Sequence, residues 1–128
     1  MGFVTAIDHV GLAVQDLDRA IAFYQTVFAV ELERRDLGVL QMALFPAVEG
    51  NGAAGSLVYF PDFYQPHEKS GPLLYFTPPS GDLANELGRV AAAGGKVLQE
   101  KKEIAPDVGY MGLFMDTEGN RLAIHSRQ

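Results

Sequence analysis

The chain has 128 residues, 48% of them apolar, which suffices for one core-bearing domain or two small halves sharing a core and not for two independent domains of ordinary size. Ten basic against sixteen acidic side chains give a formal charge of −6, a field that repels phosphate backbones and anionic surfaces, so neither nucleic acid nor a membrane is expected as a partner. No run of about 18 apolar residues is present, Met1 to Thr5 lacks the basic start and apolar stretch of a signal peptide, and the chain reads as cytoplasmic. Without cysteine there is no thiolate and no disulfide frame, so any metal would rest on His, Asp or Glu.

In chain order, residues 9–14 read as a short buried strand, and Asp16 offers an N-cap oxygen to a helix whose Leu17, Ala20, Ile21, Tyr24 and Phe28 fall on one face. That helix stops near Ala29 and Val30. Residues 30–33, 40–45 and 56–60 alternate or run apolar and read as three strands, separated by Gly38 and by a glycine-rich stretch with Gly50, Gly52 and Gly55 that reads as a flexible loop.

Between Pro61 and Pro72 proline, charge and polar groups mark a connector, in which His67 reads as solvated. The same order then repeats. Residues 73–76 form a strand, Asp82 caps a helix presenting Leu83, Leu87, Val90 and Ala91, Gly94 and Gly95 end it, and residues 96–100, 110–115 and 121–126 supply three more strands. The caps Asp16 and Asp82 differ by 66, as do Val30 and Lys96, which predicts helices of equal length. Five elements in matching order on each side of one connector indicate a repeated unit: one domain over 1–128, with a βαβββ module at about 5–60, a connector at 61–72 and a second module at about 73–127.

The segment Asp8-His9-Val10-Gly11-Leu12-Ala13-Val14, then Asp16-Leu17-Asp18-Arg19-Ala20 and Phe23-Tyr24, resembles the opening of the vicinal oxygen chelate superfamily, which includes glyoxalase I, extradiol dioxygenases and the bleomycin- and fosfomycin-resistance proteins. Ala92-Ala93-Gly94-Gly95 and Asp116-Thr117-Glu118-Gly119-Asn120-Arg121 resemble its closing half. The resemblance implies an α+β fold in which two tandem βαβββ modules form a curled mixed sheet around a cavity, with helices outside, commonly in a homodimer. It also implies four ligand positions, on the first and last strands of each half, where metal-using members bind one divalent ion that polarises substrate oxygens.

His9 occupies the first position and is a competent donor. The second falls in the strand holding Ser56, Leu57, Val58 and Tyr59, the third on Tyr75 or Leu73 depending on how the halves are aligned, and the fourth on Ala123. One imidazole is too few for a tightly held catalytic ion, for which about three protein ligands are typical, so no metal residue is assigned and no cofactor is expected. A rescue would need His9 and His125, which alternation puts on the face of Ala123, to meet across the cavity, together with a carboxylate. The nearest candidates, Glu49, Glu68, Glu103 and Glu118, read as solvated.

Two readings of His9 stand side by side: acid, base or ligand near neutral pH, or a hydrogen-bonded structural imidazole. Tyr59, Tyr64, Tyr75 and Tyr110, with Phe45, Phe63 and Phe114, can wall a cavity for a flat or apolar ligand or serve as ordinary core. Lys101, Lys102 and Glu103 read as a solvated strand end. The expected function is small-molecule binding in a metal-poor cavity, in the manner of the bleomycin-resistance-type sequestering proteins, with His9, Tyr59, Tyr75, Tyr110 and His125 as ligand-binding residues. The alternative is a lyase, isomerase or dioxygenase-related oxidoreductase working around His9 and His125, with His9 the best catalytic candidate. A partner-binding module with a solid interior is a third class.

Overall fold

The computed structural model describes residues 9–46 and 53–128; the expectations on Asp8, Glu49, Gly50 and Gly52 lie outside them. The first half runs β1 (His9–Ala13), α1 (Leu17–Phe28), β2 (Glu33–Asp36), β3 (Gln41–Leu44) and β4 (Ala54–Tyr59). The second runs β5 (Tyr75–Phe76), α2 (Leu83–Val90), β6 (Lys96–Ala105), β7 (Gly109–Met115) and β8 (Arg121–Ser126). Each half is thus βαβββ, with no helix or strand across the 61–72 connector. Its four strands form a mixed sheet, in the order β1-β4-β3-β2 and β5-β8-β7-β6, whose first pair is parallel and whose other pairs are antiparallel. Among the described residues the two sheets remain separate and neither closes into a barrel.

Asp16 caps α1 by accepting the Arg19 N–H at 3.1 Å, and Asp82 caps α2 by accepting the Ala84 N–H at 3.0 Å. The buried face of α1 is wider than the spacing predicted: Phe23 and Val27 are buried beside Leu17, Ala20, Tyr24 and Phe28, whereas Ile21 is only partly covered. The helices are not of equal length. α1 has 12 residues and α2 has 8, because the Ala91-Ala92-Ala93-Gly94 segment tightens into turns that end where the Gly95 N–H reaches the Val90 carbonyl at 2.9 Å. Gly94 has φ +102, a conformation that glycine takes without steric cost.

Four strands depart from the sequence reading, of which β5 keeps only Tyr75 and Phe76 of residues 73–76. β2 is the charged run Glu33–Asp36, because Val30 and Leu32 turn into the core ahead of it. β6 extends to Ala105 through Lys101, Lys102 and Glu103, with register shifts along its pairing to β7. β4 takes in Gly55, so that glycine belongs to a strand and not to a loop.

One apolar core serves both halves. Phe28 of α1 lies 4.9 Å from the Phe76 ring and 6.4 Å from Phe114, and Phe23 lies 6.2 Å from Phe114, so aromatic side chains from the first helix pack on the second sheet. Gly112 leaves room for Leu87 of α2: a Cβ there would stand 2.5 Å from the leucine Cδ1. Arg89 of α2 donates from Nε to the Val27 carbonyl at 2.8 Å, satisfying an acceptor in the last turn of α1. Among the described residues no helix is long and apolar enough to cross a membrane.

Candidate functional site

The turn between β7 and β8 clasps the first half. Asp116 accepts the N–H groups of Glu118 and Asn120 at 2.8 and 2.9 Å and the Tyr24 hydroxyl at 2.7 Å. The fully buried Tyr24 phenol is held well above its ordinary range by burial, reinforced by the Asp116 charge. Glu118 accepts the backbone N–H groups of Gln15 and Asp16, both at 2.8 Å, and a two-pronged contact from Arg19 at 2.8 and 3.0 Å. Burial raises the affinity of Glu118 for a proton, but hydrogen bonds from Arg19, Thr117, Asp16 and Gln15 outweigh it, so its carboxyl titrates below the ordinary glutamate value. The expectation that Glu118 is solvated therefore fails: the side chain is buried as a counter-charge to the α1 N-terminus.

Asn120 extends the clasp. Its Nδ2 donates to the Ala13 carbonyl at 2.8 Å and to Asp116 Oδ2 at 3.0 Å, while its Oδ1 accepts the His67 N–H at 3.1 Å. The next residue, Arg121, donates its N–H to the His67 carbonyl at 3.3 Å. The end of β1, the head of β8 and the connector are thereby fixed around one cleft of about 570 Å³, within the usual range for small-molecule sites. Leu40, Val58 and Leu74 give it hydrocarbon walls, Phe63 and Tyr64 stand over it from the connector, and Gln65, His67 and Arg121 supply polar groups. β1 is the edge strand of its sheet and lines the cleft from Val10 to Ala13.

His67 and Arg121 were not identified as site residues from the sequence. His67 is half-buried and not fully solvated; its ring lies over Gly71, where a Cβ would come within 2.6 Å of Nε2. No local pattern marks it, since the asparagine that fixes its backbone is 53 positions away.

The five candidate ligand-binding residues do not converge. His9 is exposed, and its Nε2 lies 2.8 Å from Ser56 Oγ. His125 belongs to the other sheet and bonds through Nε2 to the Val108 carbonyl at 2.7 Å. Tyr75 pairs with Ala123, which puts it on the same open face as His125, and is 56% exposed. Tyr59 and Tyr110 lie on the opposite, core-facing sides of their sheets; Lys101 sits 4.6 Å from the Tyr110 ring centroid. None of the five lines the cleft. Of the other aromatics, Phe63 and Tyr64 line it, while Phe45 and Phe114 pack in or against the core.

Strand register allows the halves to be aligned rung by rung. Gly11, Ser56, Leu44 and Glu33 form one rung across the first sheet, and Tyr75, Ala123, Leu113 and Gln99 form its counterpart across the second. Two residues back along each leading segment, His9 corresponds to Leu73. On that alignment the four positions that the resemblance implies for ligands are His9, Ser56, Leu73 and Ala123: one imidazole, one hydroxyl and two hydrocarbon side chains. That donor set does not fit a divalent ion. Among the described residues no group of three or more His, Asp or Glu side chains is gathered at metal-binding distance.

A family model described as the Glyoxalase/Bleomycin resistance protein/Dioxygenase superfamily matches residues 6–124. The chain belongs to this superfamily. Solved members share the superfamily fold at low identity. A glyoxalase-related enzyme from Fulvimarina pelagi superposes with a TM-score of 0.72 at 17% identity, over 96% of this chain and 88% of that one. A variant of the fosfomycin resistance protein FosX from Listeria monocytogenes, solved with Mn(II) and 1S,2S-dihydroxypropylphosphonic acid, gives 0.67 at 17% identity over 98% and 93%. Glyoxalase I from Zea mays gives 0.69 at 22% identity over 93% of this chain and 45% of its own, so this superfamily member spans about half of the maize chain. No curated protein sequence matches it.

Proposed function

We propose that this superfamily member binds a small organic molecule in the cleft between its halves and does so without a divalent metal, as a sequestering or carrier protein of the bleomycin-resistance type. The cleft itself carries the reading: about 570 Å³, walled by hydrocarbon, with a few polar groups at its rim. The donor set at His9, Ser56, Leu73 and Ala123 supports the metal-independent half. We read the protein as cytosolic and homodimeric; a pair of copies would carry as many modules as the maize chain has length for. The alternative of a lyase, isomerase or oxidoreductase would have to work with His9 and His125 already engaged by Ser56 and the Val108 carbonyl.

A thermal-shift screen of apolar metabolites, run with and without chelator, tests the proposal. A ligand present at a hundredfold excess over its Kd stabilises the native state by about 2.7 kcal/mol, and the shift should survive chelation. Stoichiometric zinc, iron, nickel or manganese in protein purified without chelator, lost in His9→Ala, would sink it.

A further inference from the structure

Taking the cleft as the binding site, we infer that its ligand is an organic monoanion: an apolar body, flat or aliphatic, bearing one carboxylate that the Arg121 guanidinium receives. The inference rests on the proposed function and specifies the ligand class.

Three observations carry it. The first is the sign of the lining. In a chain with six more acidic than basic side chains, no aspartate or glutamate of the described residues lines the cleft, whereas the pocket beside His9 holds Glu31 and Glu33.

The second is how the arginines are used. Arg19 faces Glu118, Arg34 faces Asp18, Arg35 faces Glu33 and Arg89 faces Glu86, while Arg127 donates to the Asp107 carbonyl. Among the described residues Arg121 alone of the six has neither kind of partner for its side chain, and it is the arginine that lines the cleft. A planar guanidinium without a carboxylate, beside hydrocarbon, is suited to a planar anion that accepts two parallel N–H bonds.

The third is that the backbone carrying this exposed side chain is fixed at the cleft. Arg121 opens β8, its N–H is bound to the His67 carbonyl, and its neighbour Asn120 is bound to Ala13, His67 and Asp116. The walls beyond it, Leu40, Val58 and Leu74, offer nothing polar from their side chains, so they accept the body of the molecule and reject a second charge. Among the described residues β1 is an edge strand along the same cleft, and backbone groups of it other than the Ala13 carbonyl can orient a hydroxyl or carbonyl substituent.

The test uses matched acid and amide pairs, 2-naphthoate with 2-naphthamide and octanoate with octanamide, titrated at low ionic strength into the intact protein. Amide NMR shifts locate the binding, and the spectrum of each variant reports its folding. In at least one pair the acid should bind about tenfold or more tighter than its amide, as a charge-assisted hydrogen bond predicts, with shifts at Val58, Leu74 and Arg121. Arg121→Gln should bring the acid down to the amide's affinity and leave the amide unchanged; Arg121→Lys should keep part of the preference. Equal binding of acid and amide in the cleft, or a preference that survives Arg121→Gln, would overturn the anion inference and leave the cleft reading standing. No cleft shift from any member of either pair would overturn both.

Discussion

Replacing Glu118 by Gln keeps the shape of the side chain and removes the charge that Arg19 and the N–H groups of Gln15 and Asp16 share. The Glu118 side chain is fully buried but that of Arg19 is 48% exposed, so water screens part of the attraction. A loss of about 2 kcal/mol is expected, read as a lower denaturant midpoint at neutral pH. The pH dependence follows from the direction of the shift. A carboxyl whose folded pKa lies below its unfolded one stabilises the native state above the unfolded value, about 4.3, and the stabilisation disappears as pH falls through the folded value. Wild-type stability should therefore fall in that acid window, and Glu118→Gln should flatten the fall. An unchanged acid limb in the variant would mean that other carboxylates govern it. At the cleft, the Arg121 and His9 substitutions described above decide charge recognition and metal dependence separately, because the two residues line different pockets.

Individual elements show where local pattern is informative. β8 matches the sequence reading from Arg121 to Ser126, since Leu122 and Ile124 alternate into the core beside small or polar neighbours. β2 was misread because pattern follows burial, and an edge strand pairs through its backbone whatever its side chains are; all four of its residues are exposed. Phe23 and Val27 were missed on α1 because its buried face is wider than one stripe, Phe23 packing on Phe114 of the other half. The aromatic side of the cleft was legible in Phe63 and Tyr64, but its polar side was not, because His67 and Arg121 meet through backbone bonds between distant segments. Gly95 offers an element-scale test. A Cβ there would stand 2.5 Å from the Met115 carbonyl oxygen and 2.6 Å from the Phe23 ring, so Gly95→Ala has to push the start of β6 off β7 or displace an α1 aromatic. The expected cost is about 1–3 kcal/mol, with protection from amide exchange lost at the head of β6 before its far end.

For the molecule as a whole, the shared core predicts that the halves unfold together. Phe28 touches Phe76 and Phe114 from across the boundary, and Arg89 answers the last turn of α1. Phe28→Ala should cost about 3–5 kcal/mol and still leave one cooperative transition, followed by circular dichroism and by tyrosine fluorescence. Two resolved transitions would show that each half holds its own core.

The clasp also sets an order of events during synthesis. Its bonds join residues 92 to 107 positions apart, from Ala13, Gln15, Asp16, Arg19 and Tyr24 to Asp116, Glu118 and Asn120. A nascent chain halted before Asp116 has the first helix built but its N-terminal donors, Arg19 and the Tyr24 hydroxyl still without these partners. Closing so long a loop adds little entropy per residue but comes late, so these clasp bonds form only once Asp116, Glu118 and Asn120 have been added. Stability is thereby coupled to chain elongation, and an interrupted product remains open to proteolysis while a finished one closes.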